Sequence, residues 1–163
     1  MRSVERALLV FSWTIFILFL AYRIMVVIYP QPDAGGVEGN VVYFIQHILD
    51  GQSLYTDPEL PPYAIAQYTP LYYYLVAAIS KLCAVSADNV AGIFITSRVV
   101  SLILNLCLVA VIYKIAKKYF EAGRSASLIV GFISFIFLEI TSFSRPDSLY
   151  HFLFFISLTF DTT

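Results

Sequence analysis

The chain has 163 residues, of which 60% are hydrophobic and 13% are charged, and its formal net charge is −1. Soluble domains average roughly 25% charged residues, so this composition, with a mean hydropathy of +0.80, excludes an ordinary soluble domain and indicates an integral membrane protein. No basic tract suggests nucleic acid as a partner. Both cysteines, Cys83 and Cys107, lie in apolar stretches, which favours buried thiols over a disulfide.

The first predicted element is a membrane span over residues 7–29. Its apolar stretch is interrupted only by Arg23 and is longer than the core of a secretory signal. Arg2 and Arg6 precede it, so the positive-inside rule places the N-terminus in the cytoplasm. We expect Arg23 to extend its side chain toward the outer membrane interface. The alternative is a buried cation with a function.

Residues 30–89 then form a large loop on the outer side of the membrane. Between residues 30 and 74 the loop contains no Lys or Arg, and its acidic residues are Asp33, Glu38, Asp50, Asp57 and Glu59. Carboxylates grouped beside a bilayer repel each other unless a metal ion, an arginine or a substrate cation offsets their charge. Several tyrosines, including Tyr68, are expected to anchor the loop at the interface, and a stacking platform for a sugar is the alternative.

Two interfacial helices are predicted within this loop. From Val37 to Leu49, apolar residues recur at spacings of three and four and predict an amphipathic helix that ends at Gly51. It is too short to span, so we expect it to lie along the outer membrane surface. The second helix, over residues 71–85, contains Lys81, and we interpret it as interfacial or re-entrant.

Three further spans are predicted, over residues 90–116, 126–143 and 149–160 onward. A basic cluster at the end of the first of these spans and just after it indicates a cytoplasmic turn, and its members are Lys114, Lys117, Lys118 and Arg124. The last run is too short to cross a bilayer before the chain ends, so we expect the chain to be the N-terminal part of a longer protein. The predicted fold class is an all-α, multi-pass integral membrane protein with about four transmembrane helices.

Two short motifs face the outer side in this topology, and each places a carboxylate near the start of a helix. The first is DAGGVEG, with Asp33 and Glu38, and the second is SRPD, with Arg145 and Asp147. Acidic residues at helix starts complement the helix dipole, and the proline of SRPD suits the first helical position. Helix capping is therefore the alternative to a functional role for both motifs.

A polar stripe runs through the predicted second span and consists of Ser97, Arg98, Ser101 and Asn105. Charged groups within a span usually face the interior of the helix bundle or a water-filled cavity. One interpretation is an ion pair between Arg98 and Glu139 that fixes helix packing. The other is that Arg98 or Arg145 binds a phosphate, which the guanidinium group suits geometrically.

The order of four motifs resembles the membrane glycosyltransferases of the GT-C superfamily. The nearest are the mannosyltransferases that use polyprenyl- or dolichyl-phosphate sugars and the aminoarabinose transferases. The matching motifs are GVEGNVVYFIQHILDGQSLY, QYTPLYYYLVAAISKL, ITSRVVSLILNL and SFSRPDSLYHFLFFISL. The resemblance implies inverting transfer of a sugar from a lipid-phosphate donor to a hydroxyl of a lipid, glycan or protein, at the outer or lumenal membrane face.

The resemblance also implies roles for individual residues. Glu38 takes the position of the general base or metal contact, with Asp33 as its substitute, and Asp147 takes that of the supporting acid. Some relatives carry a Lys that contacts phosphate ahead of PLYY, where this chain has Tyr68. Donor phosphate contacts are assigned to Arg145, Arg98 and Tyr68. A divalent cation held by Glu38 and Asp147 is the cofactor considered. Family members have many more spans, so we expect this chain to be inactive alone.

The alternative to a glycosyltransferase is a protein of another class, either a non-catalytic membrane subunit or a transporter fragment, whose acidic loop binds cations or a partner. A transporter is expected to show an internal repeat of its spans, and no repeat is visible in the sequence.

Overall fold

The computed structural model describes residues 2–29, 36–55, 57, 59, 61, 63–138 and 145–160. Within these residues it has six helices and no strands, so the prediction of an all-α fold is confirmed. The helices are α1 (Arg2–Ile28), α2 (Val37–Leu49), α3 (Pro70–Leu82), α4 (Val90–Tyr119), α5 (Arg124–Phe137) and α6 (Asp147–Ser157).

Two of the described helices, α1 and α4, are long and apolar enough to cross a membrane. They contain 27 and 30 residues, which at about 1.5 Å per residue gives roughly 40 and 45 Å. The hydrocarbon core of a bilayer is about 30 Å thick. Helix α5 is also apolar but has 14 residues, and α6 has 11.

Helix α4 lies at the centre of the bundle and contacts the other five helices. One core cluster joins its first half to α2 and α3, and a second cluster joins its middle to α1 and α5. Aromatic stacking contributes to the second cluster, where the rings of Phe16 and Phe132 have centroids 4.5 Å apart. Helix α4 therefore connects the part of the fold formed with α2 and α3 to the part formed with α1 and α5.

The predicted amphipathic helix is present as α2, but its apolar face packs against protein. Val41, Phe44 and Ile45 have no exposed surface and belong to the cluster formed with α3 and α4. The expectation that this face rests on the membrane surface is therefore wrong. An apolar stripe is satisfied equally well by lipid or by a neighbouring helix, and helical periodicity does not distinguish the two.

The predicted boundaries of α2 agree with the structure, whereas α3 begins one residue before and ends three residues before its predicted range. Gly51 has a φ of 75° and ends α2, since glycine adopts this left-handed conformation without strain. Pro70 is the first residue of α3, where its missing N–H costs nothing. The side chain of Asn89 caps α4 by accepting a hydrogen bond from the Gly92 N–H at 2.9 Å.

Two expectations about individual side chains are wrong. Arg23 is only 1% exposed, and its guanidinium lies 4.8 Å from the ring centroid of Phe135. It packs against protein instead of extending outward, because α5 covers this face of α1. Cys83 and Cys107 are free thiols, as expected, but both are exposed rather than buried. An apolar context marks residues that face lipid as readily as residues in a core.

Candidate functional site

The polar groups predicted to carry function form two features that meet on one turn of α4. The first is a buried ion pair between Glu38 and Arg98, and the second is a cleft lined by Asp147. Ser101, one turn after Arg98, contacts the helix that begins at Asp147. Arg98 and Ser101 are separated by about 4.5 Å along the axis of α4.

The side chains of Arg98 and Glu38 form a fork-to-fork ion pair with no exposed surface. Arg98 Nε donates to Glu38 Oε1 at 2.6 Å, and Arg98 Nη2 donates to Glu38 Oε2 at 2.7 Å. Paired charge-assisted bonds of this kind are strong and geometrically specific. Removing one partner of such a buried pair typically costs roughly 3–5 kcal/mol, because the other charge is left without compensation.

The same guanidinium also binds the end of α1. Arg98 Nη1 donates to the carbonyl oxygen of Val26 at 2.7 Å and to that of Tyr29. The last carbonyls of a helix have no partner within it. At Val26 the usual donor four residues later is Pro30, which has no N–H. A cation at a helix C-terminus also complements the helix dipole.

Glu38 lies in the first turn of α2, so its carboxylate complements the positive end of that helix. The guanidinium of Arg98 therefore lies between the carbonyls at the C-terminal end of α1 and the Glu38 carboxylate in the first turn of α2. Among the described residues, Glu38 is the carboxylate that pairs with Arg98, and the predicted pair of Arg98 with Glu139 stays a prediction. Glu139 and Asp33 both lie outside the described residues.

A second buried set of polar contacts connects α3, α4 and the start of α6. Tyr72 donates its hydroxyl hydrogen to the Ser97 carbonyl at 3.1 Å and lies 2.8 Å from Ser101 Oγ. Ser148 Oγ donates to the Arg145 carbonyl at 2.9 Å and lies 3.3 Å from Ser101 Oγ. Burial raises the pKa of Tyr72 far above its usual value, so its hydroxyl stays protonated. These contacts fix the position of Asp147, the neighbour of Ser148.

The Asp147 cleft opens between the segment before α3 and the first turns of α6. Its volume is about 280 Å³, and it is lined by Gln67, Tyr68, Thr69, Pro146, Asp147 and Tyr150. It adjoins a groove of about 320 Å³ between α3 and α6, because Thr69, Pro146 and Tyr150 line both. The remaining lining of this α3–α6 groove is apolar and consists of Leu71, Leu149, Leu153 and Phe154.

The structure brings some of the predicted site residues together and separates others. Tyr68 and Asp147 line the same cleft, and Arg145 immediately precedes its Pro146 wall. Glu38 and Arg98 do not line it, since they are buried against each other. Sequence reasoning missed the contribution of Gln67, although it adjoins Tyr68 in the QYTPLYYY motif.

No family model matches this chain. Searches of curated proteins and of solved structures find no match either. The site must therefore be interpreted from its own residues and geometry.

Glu38 and Asp147, the two acids considered as ligands of a divalent cation, have different surroundings in the structure. Both oxygens of Glu38 bind Arg98, and only Asp147 of the two acids lines the cleft. No step below depends on a cation.

Proposed function

We propose that this chain is part of a membrane glycosyltransferase that uses a polyprenyl-phosphate sugar as its donor. The observation that supports the proposal is the Asp147 cleft, whose lining includes several polar side chains and which adjoins the apolar α3–α6 groove. A lipid-phosphate sugar has a polar head and a long apolar chain, so it matches both parts of this surface. Small-molecule sites commonly combine an apolar lining with a few polar groups that fix orientation.

In the proposed complex the prenyl chain lies in the α3–α6 groove and the sugar phosphate lies in the cleft. The Tyr68 hydroxyl and the Gln67 amide can donate hydrogen bonds to phosphate or sugar oxygens. Arg145, next to the cleft, is the cation that we assign to the charge of the departing phosphate. The aromatic ring of Tyr150 lies at the boundary between cleft and groove.

The reaction requires a carboxylate that removes a proton from the acceptor. As the acceptor oxygen bonds to the anomeric carbon, its proton passes to the carboxylate. The bond between the anomeric carbon and the phosphate oxygen breaks, and polyprenyl phosphate leaves with the electron pair. The resemblance assigns the base to Glu38 or Asp33 and support to Asp147. Of these acids, Asp147 is the one that the described residues place in the cleft.

The proposal includes an orientation in the membrane, with about four spans, a cytoplasmic N-terminus and residues 30–89 on the outer or lumenal side. Two exposed positions test it, after Cys83 and Cys107 have been replaced by Ser. We expect a membrane-impermeant maleimide to label the Asp57→Cys variant from outside and to leave the Glu121→Cys variant unlabelled. The reverse pattern would contradict this orientation.

Photo-crosslinking tests whether the groove binds the donor. A photoreactive amino acid at Leu153, in the groove, is expected to crosslink to polyprenyl-phosphate mannose in liposomes. The control position is Val130 on α5, which is 46% exposed compared with 44% for Leu153 and lies outside the groove. Equal crosslinking at the two positions would mean that the lipid contacts the helix bundle without selectivity and would count against the proposed site.

A further inference from the structure

We propose that Glu38 and Arg98 are positioning residues that together clamp the first loop to α4, rather than a general base and a phosphate ligand. Their effect on catalysis rests on the proposed function, whereas the clamp itself does not. The proposal reassigns two residues for which sequence motifs had implied direct contact with substrate.

The first argument is that the two side chains are bonded to each other and have no exposed surface. Each oxygen of Glu38 accepts a hydrogen bond from Arg98, and each nitrogen of the Arg98 guanidinium donates at least one. A general base must come within hydrogen-bond reach of the acceptor hydroxyl. Glu38 has no exposed surface through which an acceptor could approach, and moving its carboxylate to the cleft would leave Arg98 buried without its compensating charge.

The second argument is that Arg98 holds both ends of the connection between α1 and α2. Its Nη1 binds carbonyls at the end of α1, and its Nε and Nη2 bind the acid in the first turn of α2. One side chain of α4 therefore fixes where the first loop leaves α1 and where it enters α2. Both contacts place charge at the helix end that favours it.

The third argument links the clamp to the cleft. Ser101 follows Arg98 by one turn of α4 and contacts Tyr72 of α3 and Ser148 of α6. The same stretch of α4 thus supports the start of the first loop and the helix turn that carries Asp147. Misplacing reacting groups by about 1 Å can cost about 100-fold in rate, so a loosened clamp is expected to slow transfer.

A stability cycle tests the clamp without any assay of activity. The variants are Glu38→Gln, Arg98→Met and the two combined, and the readout is the Tm of the purified protein. Each single substitution is expected to lower Tm by roughly 10 °C, and the double variant is expected to be no less stable than the worse single variant. Losses that simply add would overturn the clamp.

Matched controls remove exposed charges from the same two helices. Asp50→Asn at the end of α2 and Lys117→Met near the end of α4 change exposed groups. Their separate effects on Tm are expected to be small, and their combined effect is expected to be the sum. If the Tm effects of the two control substitutions departed from their sum as much as those of Glu38 and Arg98, the cycle would report general helix destabilisation. It would then no longer support the clamp.

The pH dependence of transfer distinguishes a positioning residue from a base. Glu38→Gln, assayed below its Tm, is expected to lower the rate about 100-fold at every pH and to keep the fall in rate at low pH. Loss of that fall in the Glu38→Gln variant would identify Glu38 as the base and overturn the proposal. Absence of transfer activity in the full-length wild-type protein would refute the proposed function and the positioning role. The stability cycle would still test the clamp, because it does not depend on activity.

Discussion

Replacing Asp147 by Asn is expected to lower the rate of polyprenyl phosphate release at least 100-fold while the protein remains folded. Asparagine has nearly the same shape but no negative charge, so it cannot take a proton from the acceptor or stabilise nearby positive charge. Asp147 is half-buried and lines the cleft at the first turn of α6. The substitution also removes a favourable interaction with the helix dipole, which is worth only about 0.3–1 kcal/mol.

The control for this experiment is Asp50→Asn, which removes an exposed acid from the end of α2 and lies outside the cleft. Its rate is expected to stay within about twofold of the wild type, because surface substitutions away from special features change stability by less than about 0.5 kcal/mol. If Asp147→Asn retained the wild-type rate with an unchanged Tm, the carboxylate of Asp147 would have no part in the reaction.

Exchanging the two charges of the clamp is expected to damage the protein rather than to restore it. An isolated ion pair can often be reversed, since the attraction is the same in either direction. In this protein the two helix ends favour one arrangement of the charges, with the cation at the end of α1 and the anion in the first turn of α2. In the Glu38→Arg, Arg98→Glu variant, the new carboxylate faces the carbonyls of Val26 and Tyr29, which need a donor. The new guanidinium stands in the first turn of α2, where the dipole disfavours a cation.

We therefore expect the exchanged variant to have a Tm at least roughly 10 °C below that of the wild type. The Tm of the purified protein, measured beside the two single substitutions, checks this expectation. The exchange of Asp50 and Lys81, two exposed charges at the ends of α2 and α3, is the control and is expected to have little effect. Recovery of wild-type stability in the exchanged clamp would show that Arg98 acts through Glu38 alone, and not through the end of α1.

The helices of this fold could be predicted well because their signals are local. Spacings of three and four predicted α2, and a glycine predicted its end. These features depend on the conformation of a few consecutive residues. They required no knowledge of what packs against the helix.

The partners of buried charges could not be predicted in the same way. Arg98 meets an acid sixty positions earlier and carbonyls about seventy positions earlier, and no spacing rule connects residues so far apart. One local clue was present in the sequence, since Pro30 cannot donate to the carbonyl of Val26. The burial of Arg23 could not be predicted for the same reason, because it depends on α5, whose position the sequence alone does not give.

The candidate site was predicted in part for a similar reason. The motifs that contain Tyr68 and Asp147 were recognised separately, and the fold places both in one cleft. Glu38 was recognised in the same way, but its burial against Arg98 depends on packing that a motif does not encode.

Release of polyprenyl phosphate tests the central proposal most directly. The protein, at the full length in which its own cell makes it, is incubated in liposomes with acceptor lipids or glycans and with polyprenyl-phosphate mannose, glucose or aminoarabinose, and the released lipid phosphate is measured. We predict that the wild type discharges at least one donor in an acceptor-dependent manner and that the Asp147→Asn variant does not. Failure of the wild type to discharge any donor, despite selective crosslinking at Leu153, would contradict the transferase assignment and favour a lipid-binding membrane subunit without catalytic activity.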